Sequence, residues 1–93
     1  MIDGFKCKST KELWETGKSK KIPASLRRVA LRKLVLIDAA EELRDLMVPP
    51  GNRLEELKGN RDGQHSVRIN DQWRICFNWT DCDAHNVEIV DYH

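Results

Sequence analysis

The chain is poor in residues that cross-link or punctuate a fold. Three cysteines, Cys7, Cys76 and Cys82, are spread through 93 residues. Their number is odd and no C-x-x-C pair occurs, which argues against both a disulfide framework and a zinc finger. Cys82 and His85 stand three apart, but a metal site needs about four ligands, and the rest would have to come from Cys7, His65 or His93. No metal or cofactor is therefore expected. No apolar run approaches the roughly 20 residues that cross a bilayer, and no charged-then-apolar leader opens the sequence. The expectation is a cytoplasmic chain with reduced thiols and no membrane association. Internal repeats and low-complexity segments are also missing, and residues 24–47 contain neither glycine nor proline.

What is present describes one small soluble domain spanning residues 1–93, with 40% hydrophobic and 33% charged residues. A chain of this size buries about 60–65% of its unfolded surface. The net charge of +1 hides an asymmetry, because residues 1–33 carry a balance of +7 and the remainder −6. From Lys18 to Lys33 there are seven basic residues and no acidic one. Such a run suits a polyanion or an acidic protein, or forms a solvated helix face.

Met1 to Cys7 is weakly patterned as a short strand anchored by Ile2 and Phe5. Ser9-Thr10-Lys11-Glu12 matches a capping box, predicting a short helix to about Thr16 that Gly17 closes. Pro23 then suits a first helical turn, and one long helix is predicted from there to about Met47. Its apolar stripe is Leu26, Val29, Ala30, Leu34, Ile37, Ala40, Leu43 and Met47. Arg28 and Arg32, then Asp38 and Glu42, place an outer face that changes sign along the helix.

Pro49-Pro50-Gly51-Asn52 breaks the pattern, and the periodicity afterwards is that of strands. Leu54 and Leu57 flank a possible strand before the turn Gly59 to Gly63. Val67 and Ile69 alternate with Ser66, Arg68 and Asn70, and Asn70-Asp71 turns the chain. Trp73, Ile75, Phe77 and Trp79 alternate with Arg74, Cys76, Asn78 and Thr80, and Thr80 to His85 turns again into a last strand, Asn86 to Val90. The order predicts an α+β fold, with two N-terminal helices packed on a mainly antiparallel C-terminal sheet.

If Val67, Ile69, Trp73, Ile75 and Phe77 face the helices, Arg68, Asn70, Arg74 and Cys76 share the other face. Two arginines there are either ordinarily solvated or a phosphate clamp, whose guanidinium forks match phosphate oxygens. Glu88, Val90 and Tyr92 join that side. The sequence closes with Asp91-Tyr92-His93, an acid, a phenol and an imidazole whose ring titrates near neutral pH. A regular strand points His93 the other way, so its participation demands a bend.

Gly59-Asn60-Arg61-Asp62-Gly63-Gln64-His65-Ser66-Val67-Arg68-Ile69-Asn70, then Gln72-Trp73-Arg74-Ile75-Cys76-Phe77 and the closing Val90-Asp91-Tyr92-His93 also carry a resemblance. With Met1-Ile2 and Phe5, Ala39 to Leu46 and Pro50 to Leu54, they make the sequence similar to the HigB toxins of type II toxin–antitoxin systems, within the RelE/ParE superfamily. The match covers nearly the whole chain, and its fragments are specific in combination.

The resemblance implies a small RelE-like fold and a metal-independent endoribonuclease that cuts messenger RNA in the ribosomal A site. By motif position it implies Lys58, Arg68, Arg74, Asp91, Tyr92 and His93 as catalytic or RNA-contacting residues. One departure is Glu55, where some members carry a catalytic-site histidine. Chemically, Arg68 and Arg74, with Lys58, suit a phosphorane, and His93 has the reference pKa of about 6.5 that suits proton transfer. Tyr92, with a reference pKa near about 10, suits stacking or hydrogen bonding better. Which group is base and which acid is left open, with Asp91 able to orient His93.

Lys20, Lys21, Arg28, Arg32, Lys33 and Arg61 are the expected contacts to ribosomal or messenger RNA backbone. The implied partners are a HigA-type helix-turn-helix antitoxin, the ribosome and mRNA, with DNA reached only through the antitoxin complex. The rival within the superfamily is a non-enzymatic gyrase poison of the ParE type, which has no need of Tyr92, His93, Arg68, Arg74 and Lys58.

Overall fold

Leu26, Ala30, Leu34 and Ile37 recur at the spacing of one helical face. In the computed structural model, which describes residues 1–61 and 63–91, all four are buried against a sheet. They lie on α2 (Ala24–Ala39), preceded by α1 (Lys8–Thr16), which buries Thr10 and Leu13. Each fully buried Leu or Ile contributes about 1.5–3 kcal/mol relative to exposure. Leu34→Ala is thus expected to cost about 2–5 kcal/mol, because a cavity adds to the lost transfer energy. Gly17 closes α1 as the glycine reading requires, with φ 79° and its N–H donating to the Leu13 carbonyl at 2.8 Å.

Two expectations about the helices fail. Ser9 and Glu12 do not form a capping box: Cys7 is the N-cap, without a side-chain bond. The hydroxyls at this helix start serve other contacts instead, Thr10 Oγ1 accepting from the Ile89 N–H at 3.0 Å. The long helix to Met47 also stops early, with Ala40 already extended. A capping box forms here, between Glu42 and Asp45, and opens a 3-10 helix over Leu43–Met47. The Asp45 carboxylate accepts from the N–H groups of Glu41 and Glu42, both at 3.0 Å, capturing donors that a continuing helix would use. The change of pitch buries Leu46 and leaves Met47 exposed.

A second 3-10 turn, Pro50–Asn52, leads into the sheet. Among the described residues, β1 (Glu55–Glu56), β2 (Gln64–Arg68), β3 (Trp73–Thr80) and β4 (Asp83–Asp91) form an antiparallel meander in the order β1-β2-β3-β4. Leu54 and Leu57 flank β1 as expected, and Gly59–Arg61 makes a 3-10 turn before β2. The last turn is also shorter than Thr80 to His85, since Asp81 and Cys82, with φ 51° and 70°, make a two-residue hairpin loop. Residues 1–6 run parallel to β4, with the Asp3 N–H donating to Ala84 O at 2.8 Å and the Lys6 N–H to Val87 O at 3.0 Å. They make bridges at Ile2 and Phe5, not a continuous strand.

The alternation along β2, β3 and β4 is as read: Val67, Ile75, Phe77, Val87 and Ile89 enter the core beneath the helices. Register then stacks the other face in rows across the strands. Arg68 opposes Arg74, which opposes Val90; Ser66 opposes Cys76, which opposes Glu88. At the far end Gln64 opposes Asn78. Between Cys76 and Asn78 the β3–β4 register slips, so β4 carries one extra residue there, and Asn86 beside the slip has φ 54°.

Candidate active site

The Arg68–Arg74–Val90 row places two guanidinium groups side by side on the face that the helices leave free. Like charges directly opposed across a ladder repel, and each is offset by a different carboxylate. Arg68 Nη2 pairs with the Asp71 carboxylate in the β2–β3 turn. Asp71 is 98% exposed, so this pair contributes little to stability and gives way readily to another anion. The turn itself is fixed by Asn70, whose Oδ1 accepts from the N–H groups of Gln72 and Trp73 at 2.9 and 2.8 Å.

Arg74 is held more firmly, with its side chain 11% exposed. Its Nε donates to Ser66 Oγ at 2.7 Å, and Nη2 donates to the Arg53 carbonyl at 2.6 Å and lies 3.7 Å from Glu55 Oε1. Nη1 has no hydrogen-bond partner among the described residues, so one edge of the fork stays available to an oxyanion. Glu55, the departure from the family pattern, is thus the counter-ion of Arg74. Nothing in the local sequence marked Ser66 or Glu55 for this role beyond strand parity.

Behind this pair sits Lys33, and here the structure corrects the sequence reading. Lys33 does not belong to a solvated basic face: it is buried, and its ammonium donates to Asn52 Oδ1. Burial, with smaller contributions from nearby Arg32 and Arg68, lowers its pKa below the ordinary 10.5. Asn52 in turn donates to the Leu46 and Val48 carbonyls at 3.1 and 3.3 Å. A hydrogen-bonded chain therefore runs from Lys33 through Asn52 to the segment that presents the Arg53 carbonyl to Arg74.

The remaining expected residues are distributed as follows. Asp91 lies on the next row, opposite Trp73, and its carboxylate accepts from Gln72 Nε2 at 2.9 Å. Lys58 is exposed beyond β1, where the neighbouring Leu57 N–H donates to Gln64 O, so its backbone lies toward the Gln64 end of β2. Tyr92 and His93 lie outside the described residues. Lys20, Lys21, Arg28 and Arg32 are exposed as expected, whereas Arg61 is half-buried and bonded to Glu88 at 2.6 Å.

The free face is less bare than alternation alone suggests. Ser66 and Cys76 are buried on it, beneath Arg74 and near the Arg61–Glu88 pair. Desolvation raises the Cys76 thiol above its ordinary 9.0, with the Glu88 charge adding to the effect and Arg61, Arg74 and Lys6 opposing it. Cys76 is therefore a packed neutral thiol at physiological pH, not a nucleophile. Among the described residues no three His, Cys, Asp or Glu side chains converge as a metal set. His85 Nδ1 pairs instead with Asp3 Oδ2 at 3.1 Å, and Cys82 is exposed. No helix among those residues is long and apolar enough to cross a membrane.

The sequence and the fold are both similar to those of known proteins. A family model described as RelE-like toxin of type II toxin-antitoxin system HigB matches residues 3–93. Toxin HigB-1 of Vibrio cholerae is 43% identical over 83 residues, covering 88% of this chain and 87% of that protein. Endoribonuclease HigB of Proteus vulgaris is 36% identical over 97 aligned positions, covering 100% of both. Among solved structures, the YoeB-YefM complex from Staphylococcus aureus superposes with a TM-score of 0.62 at 18% identity, over 100% of this chain and 98% of the matched chain, and shows the shared RelE-like fold. With the family match spanning nearly its entire length, the chain belongs to the HigB family of RelE-like toxins of type II toxin–antitoxin systems.

Proposed function

We propose that this chain is a toxin that cuts messenger RNA within the translating ribosome, acting as a metal-independent endoribonuclease. The observation that carries the reading is the Arg68–Arg74 pair, directly opposed on the helix-free face with one fork edge of Arg74 open. Two cations at that spacing are suited to a phosphodiester whose negative charge grows in the transition state. The reaction forms a bond from the ribose 2′-oxygen to phosphorus and breaks the bond from phosphorus to the 5′-oxygen. The 2′-hydroxyl proton passes to a base, a second proton goes to the leaving 5′-oxygen, and the product is a 2′,3′-cyclic phosphate. Tyr92 and His93, next in sequence after Asp91, are the proposed proton-handling and stacking groups. The incoming phosphate displaces Asp71 from Arg68 and shares Arg74 with Glu55.

The exposed Lys20, Lys21, Arg28 and Arg32 are the proposed contacts to ribosomal RNA backbone, and Arg61 is a proposed contact to RNA. A helix-turn-helix antitoxin of the HigA type is the proposed neutraliser, and the cytoplasm follows from action on translating ribosomes. The ParE-type alternative has no support among the relatives named above. The test is to induce the chain in growing bacteria and map messenger RNA 5′ ends with and without a block to translation. Translation-dependent cuts are expected, and intact messages with a DNA-damage response would overturn the reading. His93→Ala is expected to abolish cutting while antitoxin binding and thermal stability persist; a fully cutting variant would remove His93 from the site.

A further inference from the structure

The helix-free face holds a second feature beyond the arginine pair. At the Gln64–Asn78 end of the sheet there is an open cleft of about 580 Å³, lined by Lys6, Asn60, Arg61, Gln64, Asn78 and Asn86. Four of the six lining residues are carboxamides, and three of those are organised around one atom. Asn78 Oδ1 accepts from Gln64 Nε2 at 3.4 Å and from Asn86 Nδ2 at 3.1 Å, while Asn78 Nδ2 donates to the Gly63 carbonyl at 3.3 Å. Arg61 donates to Gln64 Oε1 at 3.2 Å and to Glu88 at 2.6 Å, and Lys6 stands 3.7 Å from the same carboxylate. Two cations of the lining thus share the Glu88 carboxylate.

This network fixes the amides but does not exhaust them. Each carboxamide offers two donors and an oxygen with two lone pairs. Asn86 uses one N–H, and among the described residues its oxygen has no partner. Its side chain is aimed there by the register slip in β4, where Asn86 takes the left-handed conformation at φ 54°, uncommon outside glycine. An amide turned into a polar cleft in this way is suited to pairing with a flat donor–acceptor edge. The neighbouring cations suit a polyanion that carries such edges.

Strand geometry sets the distance. Arg68 and Gln64 are four residues apart on β2, about 13 Å, a span that about two nucleotides of an extended single strand cover. We infer that the Asn60–Gln64–Asn78–Asn86 cleft is a nucleobase subsite, taking a base of single-stranded RNA about two nucleotides from the bond at Arg68 and Arg74. Asn86 and Gln64 present a donor–acceptor pair to the base edge, and Lys6 and Arg61 lie beside its backbone. The inference rests on the proposed ribonuclease reading for the position of the scissile bond.

The test uses Asn86→Gly, which removes the amide while keeping a residue at ease with positive φ, and Asn60→Ala. Programmed ribosomes carrying messages that differ in one base near the cut site are treated with each protein. The wild type is expected to discriminate among the four bases at one position by about tenfold, and Asn86→Gly to compress that range to about threefold at undiminished antitoxin affinity. An unchanged preference, or an equal loss at all four bases, would overturn the inference. So would weakened antitoxin binding with unaltered cutting, which would make the cleft a protein contact. A wild type that cuts no RNA refutes the ribonuclease reading alone. The subsite is then decided by titrating the full chain with RNA hexanucleotides and following the Asn78 and Asn86 side-chain amide resonances. Base-dependent shifts support it, and their absence overturns it.

Discussion

Arg68 and Arg74 face each other across the β2–β3 ladder, yet each draws on a different carboxylate, Asp71 for the first and Glu55 for the second. The two are not equivalent. Arg74 is oriented by Ser66 and the Arg53 carbonyl, which only a planar fork can reach together, whereas Arg68 is tied to an exposed turn. Arg74→Lys is therefore expected to cut kcat by about 10²–10³-fold, and Arg68→Lys by distinctly less. Single-turnover cleavage on programmed ribosomes checks the order, and an equal loss would contradict it.

Glu55 lies 3.7 Å from Arg74 and competes with any incoming phosphate. Glu55→Gln keeps the shape and removes the charge. Affinity for a short RNA is expected to rise, and the slope of log K against log salt to steepen by roughly one phosphate contact. Binding isotherms across a salt series measure both, independently of how the substitution affects the chemistry.

Lys33 carries a structural prediction. Lys33→Met leaves the buried Asn52 Oδ1 without its donor, at a cost of about 1–3 kcal/mol near neutral pH. The folded pKa of Lys33 is below the ordinary 10.5, so between that lowered value and 10.5 the unfolded chain binds more protons than the folded one. Its contribution to stability thus rises with pH through this window, and Lys33→Met should flatten the rise. Urea unfolding of both proteins from neutral pH to about pH 10 gives the comparison.

Asp45 predicts the acid limb. Hydrogen bonds from the Glu42 and Glu41 backbones hold its carboxyl below the ordinary 3.8. The stability this provides is complete above 3.8 and is lost as pH falls through the lower folded value. Asp45→Asn should lower the melting temperature at neutral pH and make it less sensitive to acid. A variant with the wild-type acid profile would show that this cap plays no part.

These residues also show what sequence can and cannot disclose. The two-residue alternation from Trp73 to Thr80 comes from one face meeting a core, so the face carrying Arg68 and Arg74 was legible. The end of α2 was not, because Ala39 to Met47 keeps helical spacing and the interruption comes from Asp45 reaching back to two amides. Lys33 sits at core spacing with Leu26, Ala30 and Ile37, and its charge argued for exposure until Asn52, far along the chain, supplied a partner. Glu55 was visible only as a departure from the family pattern, since its pairing with Arg74 depends on β1 docking beside β2. The carboxamide cleft depends on a register slip between β3 and β4, a relation between strands that neither strand's sequence contains.

The pairing of residues 1–6 with β4 bears on how the chain behaves when it is abundant and unaccompanied. Those residues cover the outer border of β4, and the opposite border is β1, two residues long and both glutamate. Among the described residues, neither side offers a long apolar ladder to another chain's strand. Edge-to-edge strand pairing between copies is thereby disfavoured at both of these borders.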